Sequence, residues 1–261
     1  MHRWDSRLRP PPAGIEPVRW RNAQDQIDAA AGPSRGQLRG PNWRRSSQGL
    51  YVPEGTAATP HQRITEVAGI LPSYAAIGGW AAAYWMGVRL LDGGGRSGQE
   101  VLPVPVHCGP NGKIRSRPGI SVMRERLPVS DVVTIRGIRC TSALRTAVDG
   151  ARAAPSVRDA VIHLDMMLTA GVIRLSELDE VVAAHAGRPG IKQARRARSL
   201  AVEGSRSPPE TRMRLVWILD ARLPMPLINP RVYGLDGRLL GIPDALDTAA
   251  ATFLEYDGDD H

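Results

Sequence analysis

Residues 241–261 read GIPDALDTAAATFLEYDGDDH, two apolar runs separated by small and turn-prone residues and studded with carboxylates. The pattern predicts a hairpin that lays Asp244, eleven positions before Glu255, beside it. Side chains alternate in direction along a strand, so Glu255 and Asp257 are expected to share one face. Three converging carboxylates suit a hard divalent cation such as Mg²⁺, which activates water and neutralises charge on a scissile phosphate. His261, four residues beyond Asp257, is in reach to act as acid, base or phosphate contact.

The preceding residues extend this pattern. The stretch SPPETRMRLVWILDARLPMPLINPRVYGLDGRLL, from Ser207 to Leu240, leads directly into it. From Ser207 onward the chain resembles the start of the very-short-patch-repair-like endonuclease domain of many actinobacterial proteins, a member of the PD-(D/E)xK-like superfamily. Such domains open with a helix carrying a Glu, here Glu210, then a strand bearing an Asp, here Asp244. An E-x-D-G-x-x-H strand end follows, here Glu255, Asp257, Gly258 and His261. The resemblance implies metal-dependent phosphodiester hydrolysis with Asp244, Glu255 and Asp257 holding Mg²⁺, Glu210 supporting and His261 assisting. Family members continue past the His with a further helix and strand, so the expectation is a truncated, incomplete restriction-endonuclease-like domain with impaired catalysis.

Composition sets the partners. With 42% hydrophobic and 23% charged residues, the 261-residue chain is ordinary for globular protein and long enough for two or three small domains. Its net charge is +8 although residues 241–261 hold six acidic groups and no Lys or Arg, so the rest is strongly basic. Only Lys113 and Lys192 are lysines. Arginine forks match phosphate oxygens, and a basic surface attracts nucleic acid in a salt-dependent way. Cys108 and Cys140 are too few for a disulfide framework and lack zinc spacing. No apolar run is long enough for a membrane span, and MHRWDSRLRPPPAG lacks a secretory core. A cytoplasmic protein with no membrane partner is expected.

Residues 1–20, rich in Arg and Pro, read as a flexible leader. Beyond them AQDQIDAAAG predicts a short helix ending at Gly32, Ser34 caps a second through SRGQLRG, and WRRSSQGLYVP follows as a basic strand or hairpin. Two small helices before a basic hairpin are winged-helix-like, with Arg35, Arg39, Arg44 and Arg45 as candidate DNA contacts. With Gly49, Tyr51 and Pro53, and with TPHQRITEVAGILPSYAAIGGWAAAYWMGV after them, the stretch resembles the N-terminal domain of the AbiEi-type antitoxin family. That resemblance implies DNA binding and a cognate toxin as partner.

The string from Gly78 to Ala83 lacks both G-x-G-x-x-G and a phosphate-loop Lys, so it is assigned to close helix packing. Residues 101–140 alternate apolar and polar positions between Gly, Pro and Asn, predicting a small β-sheet. Arg115, Arg117, Arg124 and Arg126, at spacing two, are expected to pair on strand faces. From Thr141 the pattern turns helical, with Ser142, Pro155 and Ser176 opening helices. His163, Asp165, Met166 and Met167 are taken as core and surface positions. GRPGIKQARRARSL presents Lys192, Arg195, Arg196 and Arg198 on a helix that resembles the linker helix of the same actinobacterial proteins and is suited to guiding DNA.

The expected architecture is α+β: an antitoxin-like winged-helix and β region over 21–140, a helical connector over 141–204 and the endonuclease-like segment over 205–261. Two function classes stay open. One is an endonuclease or former endonuclease acting on double-stranded DNA; the other is a type IV antitoxin-like DNA-binding transcriptional regulator without catalysis.

Overall fold

A computed structural model describes residues 17–19, 33–95 and 100–257. The helix expected over AQDQIDAAAG, most of the leader and His261 lie outside the described residues. The chain is mixed α and β with several small sheets and divides into two compact units, one holding residues up to Trp85 and Asp92–Thr141, the other Met86–Leu91 and the residues from Ser142 on.

In the first unit, α1 (Arg35–Leu38) opens where the Ser34 hydroxyl accepts from the Gln37 N–H while Gln37 reaches back to the Ser34 N–H. This reciprocal capping satisfies donors that a helix N-terminus otherwise leaves bare. The basic run that follows is a hairpin, β2 (Trp43–Ser47) and β3 (Leu50–Pro53), with β1 (Val18–Arg19) added on the far side of β3. Ser47 pairs with Leu50, so the loop is two residues, and Gly49 takes the φ of +73° that such a turn requires. Leu50 and Val52 point into the core, and Tyr51 between them is only half-buried.

Helix α2 (Pro60–Ala68) is capped by Thr59 and buries Gln62, Ile64 and Val67. A five-stranded sheet follows, in the order β6-β5-β4-β8-β7. Its strands are β4 (Ala76–Ile77), β5 (Val104–His107), β6 (Ile120–Met123), β7 (Val132–Ile135) and β8 (Ile138–Thr141). Helix α3 (Gly79–Met86) leaves β4. The Gly78–Gly79 pair is packed tightly, but against β5 rather than against another helix. A Cβ at Gly78 would stand 2.5 Å from the His107 ring, and one at Gly79 would stand 3.0 Å from Pro105. The Arg alternation around 115–126 is not strand structure. Arg115 and Arg117 precede β6 and Arg124 and Arg126 follow it, while Arg124 donates to the Gly112 and Ile114 carbonyls. Cys108 and Cys140 are both free and buried, and burial pushes the Cys140 thiol up to about 12.

The second unit is a helical layer of α4 (Ala143–Ala153), α5 (Val157–Thr169), α6 (Leu178–Ala184), α7 (Ile191–Leu200) and α8 (Pro208–Leu215). Ser142, Ser156 and Ser207 cap three of them by accepting from the N–H three residues on. Each such cap is worth about 1 kcal/mol. A π turn over Val216–Asp220 ends α8. Then come β9 (Leu227–Ile228), the hairpin of β10 (Val232–Tyr233) and β11 (Leu239–Gly241), and β12 (Ala245–Asp247) with β13 (Thr252–Leu254). The order β13-β12-β9 is antiparallel throughout. Asp165 is wholly buried rather than a surface group, accepting from the Val202 N–H, the Thr211 hydroxyl and Arg214. No described helix is long and apolar enough to cross a membrane.

Candidate functional site

The carboxylate site is built where α8 meets the β9-β12-β13 sheet. Ser207, two prolines and Glu210 start α8 in a form that fixes Glu210. Glu210 Oε1 accepts from the Ser207 hydroxyl at 3.0 Å, and Oε2 accepts from the Arg206 N–H at 2.8 Å and from Asn229 Nδ2 at 2.9 Å.

Asn229 is the hinge of the arrangement. Its backbone sits in the left-handed region, φ +47°, which Asn tolerates better than most residues. From there its N–H donates to the Asp244 carbonyl at 3.1 Å while its side chain reaches Glu210 and the Gly204 carbonyl. Asn229 Oδ1 is buried and has no hydrogen-bond partner among the described residues. One residue thus joins the α8 carboxylate, through its side chain, to Asp244 just before β12, through its backbone.

The hairpin expected at the C-terminal end is present. Ala245 pairs with Leu254 as the outermost pair of the hairpin, so Asp244 and Glu255 are the next residues beyond it on either side. The Tyr256 N–H donates to Asp244 Oδ2 at 2.8 Å, which orients the half-buried carboxylate toward the segment that follows β13. Strand pairing stops at Leu254, so the alternation that was to align Glu255 with Asp257 does not extend to them, and both are exposed. Among the described residues no three His, Cys, Asp or Glu side chains gather closely enough to hold a metal ion. Asp244 and Glu255 offer the carboxylate oxygens that suit Mg²⁺, which takes one or two carboxylates and fills its remaining positions with water and substrate phosphate oxygens. Beside the pair, a cavity of about 410 Å³ is lined by apolar side chains of α8 and by Trp217, Leu254 and Tyr256, with Arg212 at its wall.

The basic candidates fall in separate places. On α7, Lys192, Arg195 and Arg196 are all exposed at helical spacing, while Arg198 is paired with Asp179 at 2.7 Å. In the first unit Arg35 opens α1, Arg39 caps its end and Arg45 is exposed on β2. Arg44 is engaged: it holds Glu66 with both terminal nitrogens, at 2.8 and 3.3 Å. Burial pushes the Glu66 carboxyl up, but hydrogen bonds from Arg44, Ser46 and Gln62 outweigh it and hold the group below the usual carboxylate range.

Asn229 is the residue that sequence reasoning missed. Its only local signal is the Asn-Pro dipeptide, which marks a turn without saying what the amide will hold. Comparison with protein-family models, with curated proteins and with solved structures gave no match.

Proposed function

We propose that this chain is a DNA-associated protein of the very-short-patch-repair-like endonuclease type, with its phosphodiester-directed site at Asp244 and Glu255. The observation that carries the reading is the β12–β13 pairing, which ends at Ala245 and Leu254 and so leaves Asp244 and Glu255 at the same end of the hairpin, with Glu210 tied to Asp244 through Asn229.

Asp244 and Glu255 would hold Mg²⁺, which when bound polarises the phosphate and lowers the pKa of a coordinated water. The Tyr256 N–H fixes the orientation of Asp244, and Asn229 sets the distance between α8 and β12. Glu210, already accepting three hydrogen bonds, is a positioning residue rather than a ligand in this reading. The exposed basic face of α7, in the same unit, supplies contacts to the DNA backbone. A two-carboxylate site holds its ion less firmly than the three-carboxylate set, so turnover is expected to be slow.

The test is nicking of supercoiled plasmid by the full chain in Mn²⁺ or Mg²⁺, followed over hours. Asp244→Asn and Glu255→Gln should each lower the rate by about tenfold or more, since each removes a ligand. Equal nicking by the parent and both variants, or nicking that persists in a chelator, overturns the assignment.

A further inference from the structure

We propose that the first unit binds a phosphate monoester in a cavity between the β2–β3 hairpin, α2 and the turn before β6. The cavity holds about 180 Å³ and is lined by Ser46, Ser47, Arg63, Glu66, Arg117 and Gly119 among others. Small-molecule clefts typically run to about 300–1,000 Å³, so this one suits a compact group rather than a whole cofactor.

Its charge balance points to an anion. Glu66 is the one carboxylate on the wall, and it is saturated by Arg44, Ser46 and Gln62. Among the described residues Arg117 then has no carboxylate against it, and Arg63 feels only Asp92, which does not line the cavity. Both are held in place: Arg63 lies over the Trp80 ring, 4.7 Å from its centroid, and donates to the Leu102 carbonyl. Arg117 donates to Ser47 Oγ at 2.6 Å. A guanidinium has five N–H donors, so each keeps donors for a ligand after these bonds. Ser47, which accepts from Arg117, adds a hydroxyl donor at the hairpin end, whereas the Ser46 proton is spent on Glu66.

Two arginines match a dianion better than a monoanion. A monoester carries about 1.5 to 2 negative charges at pH 7, whereas a backbone phosphodiester carries one. The ligand is therefore a terminal phosphate, from a mononucleotide-like small molecule or from the phosphorylated end of a nucleic acid. This site is separate from Asp244 and Glu255, and it stands or falls independently of the nuclease reading.

The experiment is calorimetric titration of the full chain with inorganic phosphate, with a nucleoside 5′-monophosphate, and with one oligonucleotide carrying either a 5′-phosphate or a 5′-hydroxyl. Binding at one site is expected, and Arg117→Gln should weaken it about tenfold, the loss of a charge-assisted contact. Arg117 is exposed, so the variant should keep the parent's circular dichroism, and Ser47→Ala provides a second, milder loss. Affinity should also fall as pH drops from about 7.5 to 5.5, where the monoester takes up its second proton. Preference for the phosphorylated oligonucleotide over the mononucleotide names a nucleic-acid end, and the reverse names a small molecule; both support the site. Equal binding of the 5′-hydroxyl oligonucleotide, unchanged affinity in Arg117→Gln, or no pH dependence overturns it.

Discussion

Asp165 shows how much of this protein rests on single buried charges. It is fully enclosed and accepts from Val202, Thr211 and Arg214, and Arg214 in turn donates to the Leu200 carbonyl. Burial pushes the Asp165 carboxyl up and Arg214 pulls it back. Removing one partner strands the other, so Asp165→Asn should cost about 3–5 kcal/mol in urea unfolding at neutral pH. His163 contributes a pH dependence instead. Burial pushes its imidazole down from 6.5 to about 4, against one bond to the Thr146 carbonyl. The unfolded chain therefore binds this proton more readily, and stability present above the unfolded value is lost as pH falls from about 6.5 to 4, by roughly 3 kcal/mol. The urea midpoint should drop across that window, and replacing His163 by Phe should flatten the dependence. Neither role was legible in the sequence, because HLDMM reads as a plain amphipathic helix until tertiary neighbours are known.

At the scale of elements, the helix starts were the most readable feature. Ser34 and Ser142 stand where a side-chain oxygen can accept from the helix N-terminus, and that chemistry is local, whereas Ser176, expected to open a helix, lies within the short turn Leu175–Glu177 before α6 and caps nothing. The C-terminal hairpin was readable for the same reason, since its two apolar runs and small linker lie close in sequence. The arginine alternation of 115–126 misled because spacing two is shared by strands and by irregular loops whose side chains fold back onto carbonyls. The α4–α5 contact was not readable at all. Gly150 lies in the middle of α4, where glycine is unfavourable, and it is required because any Cβ would overlap the His163 ring. Gly150→Ala should therefore destabilise by about 1–3 kcal/mol despite the gain in helix propensity. Adding His163→Ala should recover part of that loss, a coupling that a double-mutant cycle measures.

Over the whole molecule, order is unevenly distributed. The buried core of the second unit belongs to α4 through α8, whereas Leu235, Leu240 and Phe253 in the small C-terminal sheets are exposed. Amide exchange should accordingly be slow in α4, α5 and α7 and fast in residues 227–254. The charge asymmetry has its own test. Replacing Lys192, Arg195 and Arg196 by Gln should lower the slope of log affinity for duplex DNA against log salt by about 2 to 3. An unchanged slope would move the DNA contact away from α7.

The amide of Asn229 has a further consequence, in how the protein ages. Deamidation of asparagine proceeds when the following backbone nitrogen attacks the side-chain carbonyl to form a cyclic imide. Pro230 has no N–H, and its nitrogen cannot complete that ring, so the residue joining Glu210 to β12 is shielded from the commonest spontaneous loss of an amide. Asn111 is followed by Gly112 in an exposed turn and has no such protection. Peptide mapping after prolonged storage at mildly alkaline pH should find aspartate and isoaspartate accumulating at position 111 while position 229 remains asparagine.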